Sequence, residues 1–111
     1  MFYANFHASR KILIGMILFV IMDLEKAIMK RFLRKLVNLN IWGGRHTELR
    51  NLQKSLPDHL RGSKEAKKAV KELANMELII IKPSTGELHV SLNSHKQQEI
   101  YKFLSEDDSR G

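Results

Sequence analysis

The sequence predicts an α+β fold, and three observations carry that expectation. Apolar residues recur at three- and four-residue spacing in four separate stretches, the mark of amphipathic helices. Between the third and fourth of these, ELIIIKPSTGELHVSLN (77–93) reads as two apolar strands folded about a polar tip. The chain has 111 residues, 43% hydrophobic and 28% charged, so one domain with its own core is expected.

The first 22 residues stand apart. MFYANFHASRKILIGMILFVIM holds a basic pair, Arg10 and Lys11, then an apolar run from Ile12 to Met22. That run is short of the roughly 20 residues a membrane span needs. FVIMD offers no small-x-small cleavage site for a signal peptide. Three readings stay open: an uncleaved anchor, a strand or helix packed on the domain, or a start of translation at Met22. The last is the expectation, because MDLEKAIMKRF opens an amphipathic helix that needs nothing upstream. Residues 1–21 are then an N-terminal apolar extension, 22–105 the domain, and 106–111 a polar, frayed tail.

From Asp23, a plausible N-cap, the residues Leu24, Ile28, Met29, Phe32, Leu33, Leu36 and Val37 fall on one helical face. Lys26, Lys30, Arg31, Arg34 and Lys35 lie elsewhere around it. The helix should end at 38–40, with Ile41 and Trp42 as one or two strand residues before the Gly43–Gly44 break. Trp42 is expected in the core, pinning this helix to the hairpin.

Thr47 then caps a second helix, with Glu48 in its first turn, Leu49, Leu52 and Leu56 on its apolar side, and Pro57 as its stop. PDHLRG connects it to a third helix opened by Ser63, where Ala66, Ala69, Val70 and Leu73 repeat at core spacing. The run Leu78–Ile81 fits a strand buried on both sides, and Leu88, Val90 and Leu92 alternate with His89 and Ser91. KPSTG makes a turn of about four residues. Ser94 with Gln97 matches a capping box before a last helix burying Ile100, Phe103 and Leu104.

Lys and Arg outnumber Asp and Glu by 19 to 12, a formal net charge of +7 that favours polyanionic partners. Without Arg10 and Lys11 it is still +5. There are no cysteines, which excludes disulfides and thiolate zinc sites; a cytoplasmic location is the expectation. No cofactor is expected. Asp58 and His59 are adjacent, but no nucleophile, metal pattern or phosphate loop accompanies them. The five histidines lack ligand spacing, and Gly43–Gly44 is an ordinary turn into a helix.

The third helix carries the strongest signal. At about 100° per residue, Lys64, Lys67, Lys68, Lys71 and Asn75 cluster opposite the apolar face, with Glu65 and Glu72 displaced to one flank. A solvated lysine face is the plain reading; a polyanion-binding face is the other.

In the order helix, short strand, helix, basic helix, hairpin, helix, with the KPSTG tip, residues 23–93 resemble the winged helix-turn-helix superfamily, in particular small winged-helix proteins of archaea. The resemblance implies a three-helix core with a two-stranded wing, SKEAKKAVKEL as recognition helix in the major groove, and Lys82 as the wing contact. PDHLRG departs from the tight turn of the plain motif. The implied function is non-catalytic binding of double-stranded DNA, as a transcriptional regulator. Lys64, Lys67, Lys68 and Lys71 would contact groove and phosphates, Asn75 a base edge, and Arg61 and Lys82 flanking phosphates. The alternatives are an RNA- or ribosome-associated protein, or a membrane-tethered interaction module; a membrane partner is not favoured. A homodimer through Ile100, Tyr101 and Leu104 fits the pattern as well as packing within one chain does.

Overall fold

Nothing between Ile12 and Met22 breaks a helix: there is no proline, and Gly15 is the weakest former in the run. The structure, a computed structural model, describes residues 2–106, with side chains described from Arg10 onward; the tail beyond Glu106 lies outside them. In it one helix, α1 (Phe2–Asn38, 37 residues), runs through the whole N-terminal region, about 55 Å at 1.5 Å per residue. Asp23 therefore sits inside a helix and caps none. The long axis of the molecule, 63 Å against 33 and 22 Å, follows from this length.

The end of α1 is set by Asn40 at φ 57, a left-handed residue that asparagine tolerates. Asn40 N–H donates to Val37 O (2.9 Å) and Ile41 N–H to Leu36 O (3.0 Å), which satisfies the last carbonyls. The chain then forms β1 (Thr47–Glu48), α2 (Leu49–Gln53), a 3-10 turn (Asp58–Leu60) and α3 (Lys64–Asn75). After these come β2 (Ile79–Ser84), β3 (Glu87–Leu92), a 3-10 turn (Ser94–Lys96) and α4 (Gln97–Ser105). The described residues thus form an α+β fold of four α-helices and a three-stranded antiparallel sheet in the order β1-β3-β2.

Several local expectations shift. Thr47 is not a helix cap: Thr47 and Glu48 pair with Val90 and His89, and α2 begins one residue later without a side-chain cap. Trp42 makes only an isolated bridge to Leu92. Half-buried, it packs at the margin of the core beside β3, 6.0 Å from Tyr101 of α4. The run Leu78–Ile81 is not buried on both sides. Successive side chains point to opposite faces of the sheet, so Ile79 is buried in the core while Ile80 faces outward and is exposed. The last helix is entered through Asn93, whose side chain accepts from His95 N–H (3.1 Å), and not through Ser94.

The hairpin turn is shorter than expected because Pro83 stays in the strand. On an edge, a missing N–H costs no ladder bond. Ser84 pairs with Glu87, leaving Thr85 (φ 48) and Gly86 (φ 82) as a two-residue turn with both φ positive. A β-branched residue is a poor occupant of that region, whereas asparagine is a good one. Thr85→Asn is therefore expected to stabilise the fold by about 0.5–1 kcal/mol, read as a thermal midpoint higher by a few degrees. A lower midpoint would contradict this turn geometry.

The core unites α1, α3, the sheet and α4. Phe32, Leu33, Leu36, Leu52, Leu73 and Ile100 are among its most enclosed side chains. The apolar faces expected of α1, α3 and α4 supply most of it, with Leu24, Val37, Phe103 and Leu104 at its margin. α2 ends at Gln53, short of Pro57, so it supplies Leu52 while Leu56 enters the core from the turn beyond it. Ile100 is thus spent within the chain and forms no outward seam, although Tyr101 beside it is exposed.

Candidate nucleic-acid interface

The candidate interface is built on α3. Ser63 caps it: its hydroxyl accepts from Ala66 N–H (3.1 Å) and donates to Leu60 O (2.8 Å). Ala66, Ala69, Val70 and Leu73 are buried as the spacing predicts, and the helix packs on α1. Two alanines on that face, Ala66 and Ala69, let the helix lie close to its neighbour, with the lysines on the far side.

Lys64, Lys67, Lys71 and Asn75 are all exposed on the opposite side. Lys64, Lys67 and Lys71 make no ion pair among the described residues. Lys68 leans toward α1, its Nζ 3.9 Å from a carboxylate oxygen of Glu25, with its own side chain 62% exposed. The Glu25 side chain is only 15% exposed, so Lys68 is partly engaged with α1 while its ammonium still reaches solvent. Spacings of three, four and seven residues set these groups in one ridge, about 16 Å from Lys64 to Asn75.

Both ends of α3 are held firmly. Before it, Arg61 latches the connector: Nε donates to Leu56 O (2.8 Å), Nη2 to Lys54 O (3.1 Å), and Nη1 pairs with Asp58 (2.7 Å). Arg61 is 46% exposed, so its outer N–H groups still reach solvent while the rest of the fork orients α3. Behind α3, Glu77 at φ 61 closes the helix, with Glu77 N–H on Ala74 O and Leu78 N–H on Leu73 O, both 3.0 Å. Asn93 ties that turn to β3 by donating to Glu77 O (2.9 Å). The angle between α3 and the hairpin is therefore fixed by hydrogen bonds at their junction. Lys82 is exposed on β2, opposite His89.

The cations of α1 behave differently. Lys30, which the spacing sets off the apolar face, is 4% exposed; its Nζ donates to Glu106 O and lies 5.8 Å from the centre of the Phe103 ring. Arg34 donates to Leu104 O (3.3 Å) and Arg31 to Ser55 O (2.9 Å). Lys30 and Arg34 thus satisfy carbonyls at the end of α4, where the helix dipole also favours positive charge. Much of the positive charge of α1 is structural. On α3, Lys64, Lys67 and Lys71 have no such employment among the described residues, and Lys68 has its pair with Glu25.

Sequence spacing missed one contact near Lys82. His46 and His89, 43 residues apart, approach with Nδ1 atoms 2.9 Å apart and rings edge to face. Glu87, also on the hairpin, pairs with Arg50. Among the described residues no group of three or more His, Asp or Glu side chains is placed to hold a metal ion. No helix among them is long and apolar enough to cross a membrane. Compared with known proteins, the chain matches no family model, no curated protein and no solved structure.

Proposed function

We propose that this chain is a winged-helix domain that binds double-stranded DNA without catalysis and serves as a transcriptional regulator. The observation that carries the reading is the α3 ridge: Lys64, Lys67 and Lys71 exposed and unpaired among the described residues, beside a hairpin with Lys82 on its outer strand. Helix–strand–helix–helix–hairpin order and the β1-β3-β2 sheet support the winged-helix assignment.

In this reading α3 enters the major groove, which admits one α-helix, and its lysines displace condensed counterions from the phosphates. Lys82 and the outer edge of Arg61 take flanking phosphates. Lysines position a protein without reading sequence, and on the ridge Asn75 alone has an amide suited to a base edge. A single domain therefore has modest sequence preference.

The test compares a DNA duplex with a structured RNA hairpin at two salt concentrations. Tighter binding to duplex is expected, with a log–log salt slope of about −4 to −5 for four to six phosphate contacts. Tighter binding to the RNA hairpin would replace this reading by an RNA-associated one. Absence of binding to both at low salt would remove the nucleic-acid reading altogether.

A further inference from the structure

One contact on the sheet has no part in the ridge or in the core. His46 and His89 bring their Nδ1 atoms to 2.9 Å while their ring centres stay 4.8 Å apart, so each ring turns its Nδ1 toward the other. The backbone sets that approach. His89 lies within β3, in register with Glu48 of β1 on one side and Lys82 of β2 on the other. His46 immediately precedes Thr47, which pairs with Val90. Strand pairing therefore fixes the backbone beneath both rings. His46 is exposed and His89 half-buried, so the pair opens to solvent.

We propose that His46 and His89 form a two-histidine chelate for a divalent transition-metal cation, Cu2+ or Ni2+, whose other positions are taken by water. Imidazole nitrogen suits these ions. Two metal–nitrogen bonds of about 2.0–2.1 Å at about 90° set their nitrogens about 2.9 Å apart, as cis positions of a tetragonal ion do. That is the separation of the two Nδ1 atoms. A tetrahedral angle needs about 3.3 Å, so Zn2+ is the poorer fit. The same approach also admits a direct hydrogen bond, in which one ring donates and the other accepts. To bind a cation, the donor ring need only carry its proton on Nε2 instead, and both imidazoles stay neutral. Charge around the pair is mixed. Cross-strand partners share a face, so Glu48 and Lys82 flank His89 and offset one another, with Arg50 3.6 Å from the Glu48 carboxylate. A bound ion ties β1 to β3 across a ladder of only two residue pairs.

Calorimetric titration of the full chain with Ni2+ tests it, alongside electron paramagnetic resonance with one equivalent of Cu2+. One Ni2+ should bind per chain, and the Cu2+ spectrum should show two imidazole nitrogens in its equatorial plane. His46→Gln and His89→Gln should each weaken binding by at least about 10–100-fold, the cost of losing even an outer-shell partner of a metal ligand. His59→Gln and His95→Gln should leave it unchanged. Absence of Ni2+ binding, or binding that ignores His46→Gln and His89→Gln, overturns the proposal and leaves a hydrogen-bonded pair only. Should a variant not fold, the wild-type Cu2+ spectrum decides, since fewer than two imidazoles overturns the proposal as well. Neither readout involves DNA, so the outcome is independent of the proposed function.

Discussion

Replacing Lys67 and Lys71 together by alanine is expected to weaken binding to every duplex sequence and to reduce the log–log salt slope by about 1.8, or 0.9 for each phosphate no longer neutralised. The ratio of wild-type to variant affinity should then shrink about tenfold as salt rises from 50 to 200 mM, as a slope difference of about 1.8 requires. The fold should not change. Both side chains are exposed, neither has an ion-pair partner among the described residues, and alanine is at least as good a helix former as lysine. Fluorescence anisotropy across a salt series, with a thermal melt as control, makes the measurement. An unchanged slope with intact stability would mean that the ridge is only a solvated face.

The contrast between α1 and α3 explains why charge alone was an incomplete guide. On α3 the apolar face and the lysine ridge both follow from local spacing, and both are legible in twelve residues. On α1 the role of each cation depends on chain far away. Lys30 is buried because the end of α4, 76 residues later, needs a donor. Arg31 is bound to the carbonyl of Ser55 and Arg34 to that of Leu104. No window of sequence contains both partners. The same holds for Arg61, whose position in the connector suggested a phosphate contact and whose fork is largely occupied by Leu56 and Lys54 carbonyls.

Element type was readable wherever periodicity was strong and ambiguous where a residue suits two states. Thr47 is a good cap and a good strand residue; pairing with Val90 decides for the strand. Asp23 has the chemistry of a cap, but no breaker precedes it, so helix propagates through it. Pro83 reads as a turn residue and is tolerated within β2 only because that strand is an edge, a fact of sheet order. The His46–His89 contact likewise comes from β1 meeting β3.

Phe32→Ala should produce the largest loss of stability of any change considered, about 3–5 kcal/mol. Phe32 is 0% exposed and is among the largest fully enclosed side chains. It stands midway along the buried part of α1, between Ile28 and Leu36, which are also enclosed. Truncation removes the transfer free energy of the ring and leaves a void. The surrounding helices and sheet cannot collapse into it without disrupting their own packing. Domains of this size are typically stable by about 5–15 kcal/mol, so the variant should sit near its unfolding threshold. Urea denaturation should show a much lower midpoint with an unchanged m-value, since the same surface is exposed on unfolding. The slope of DNA affinity against salt, measured under conditions where the variant is still folded, should match the wild type, because no ridge lysine has been touched. A midpoint shift equivalent to less than about 1 kcal/mol would mean that the α1 core is not packed as described, and the orientation of α3, which rests on that helix, would fall with it.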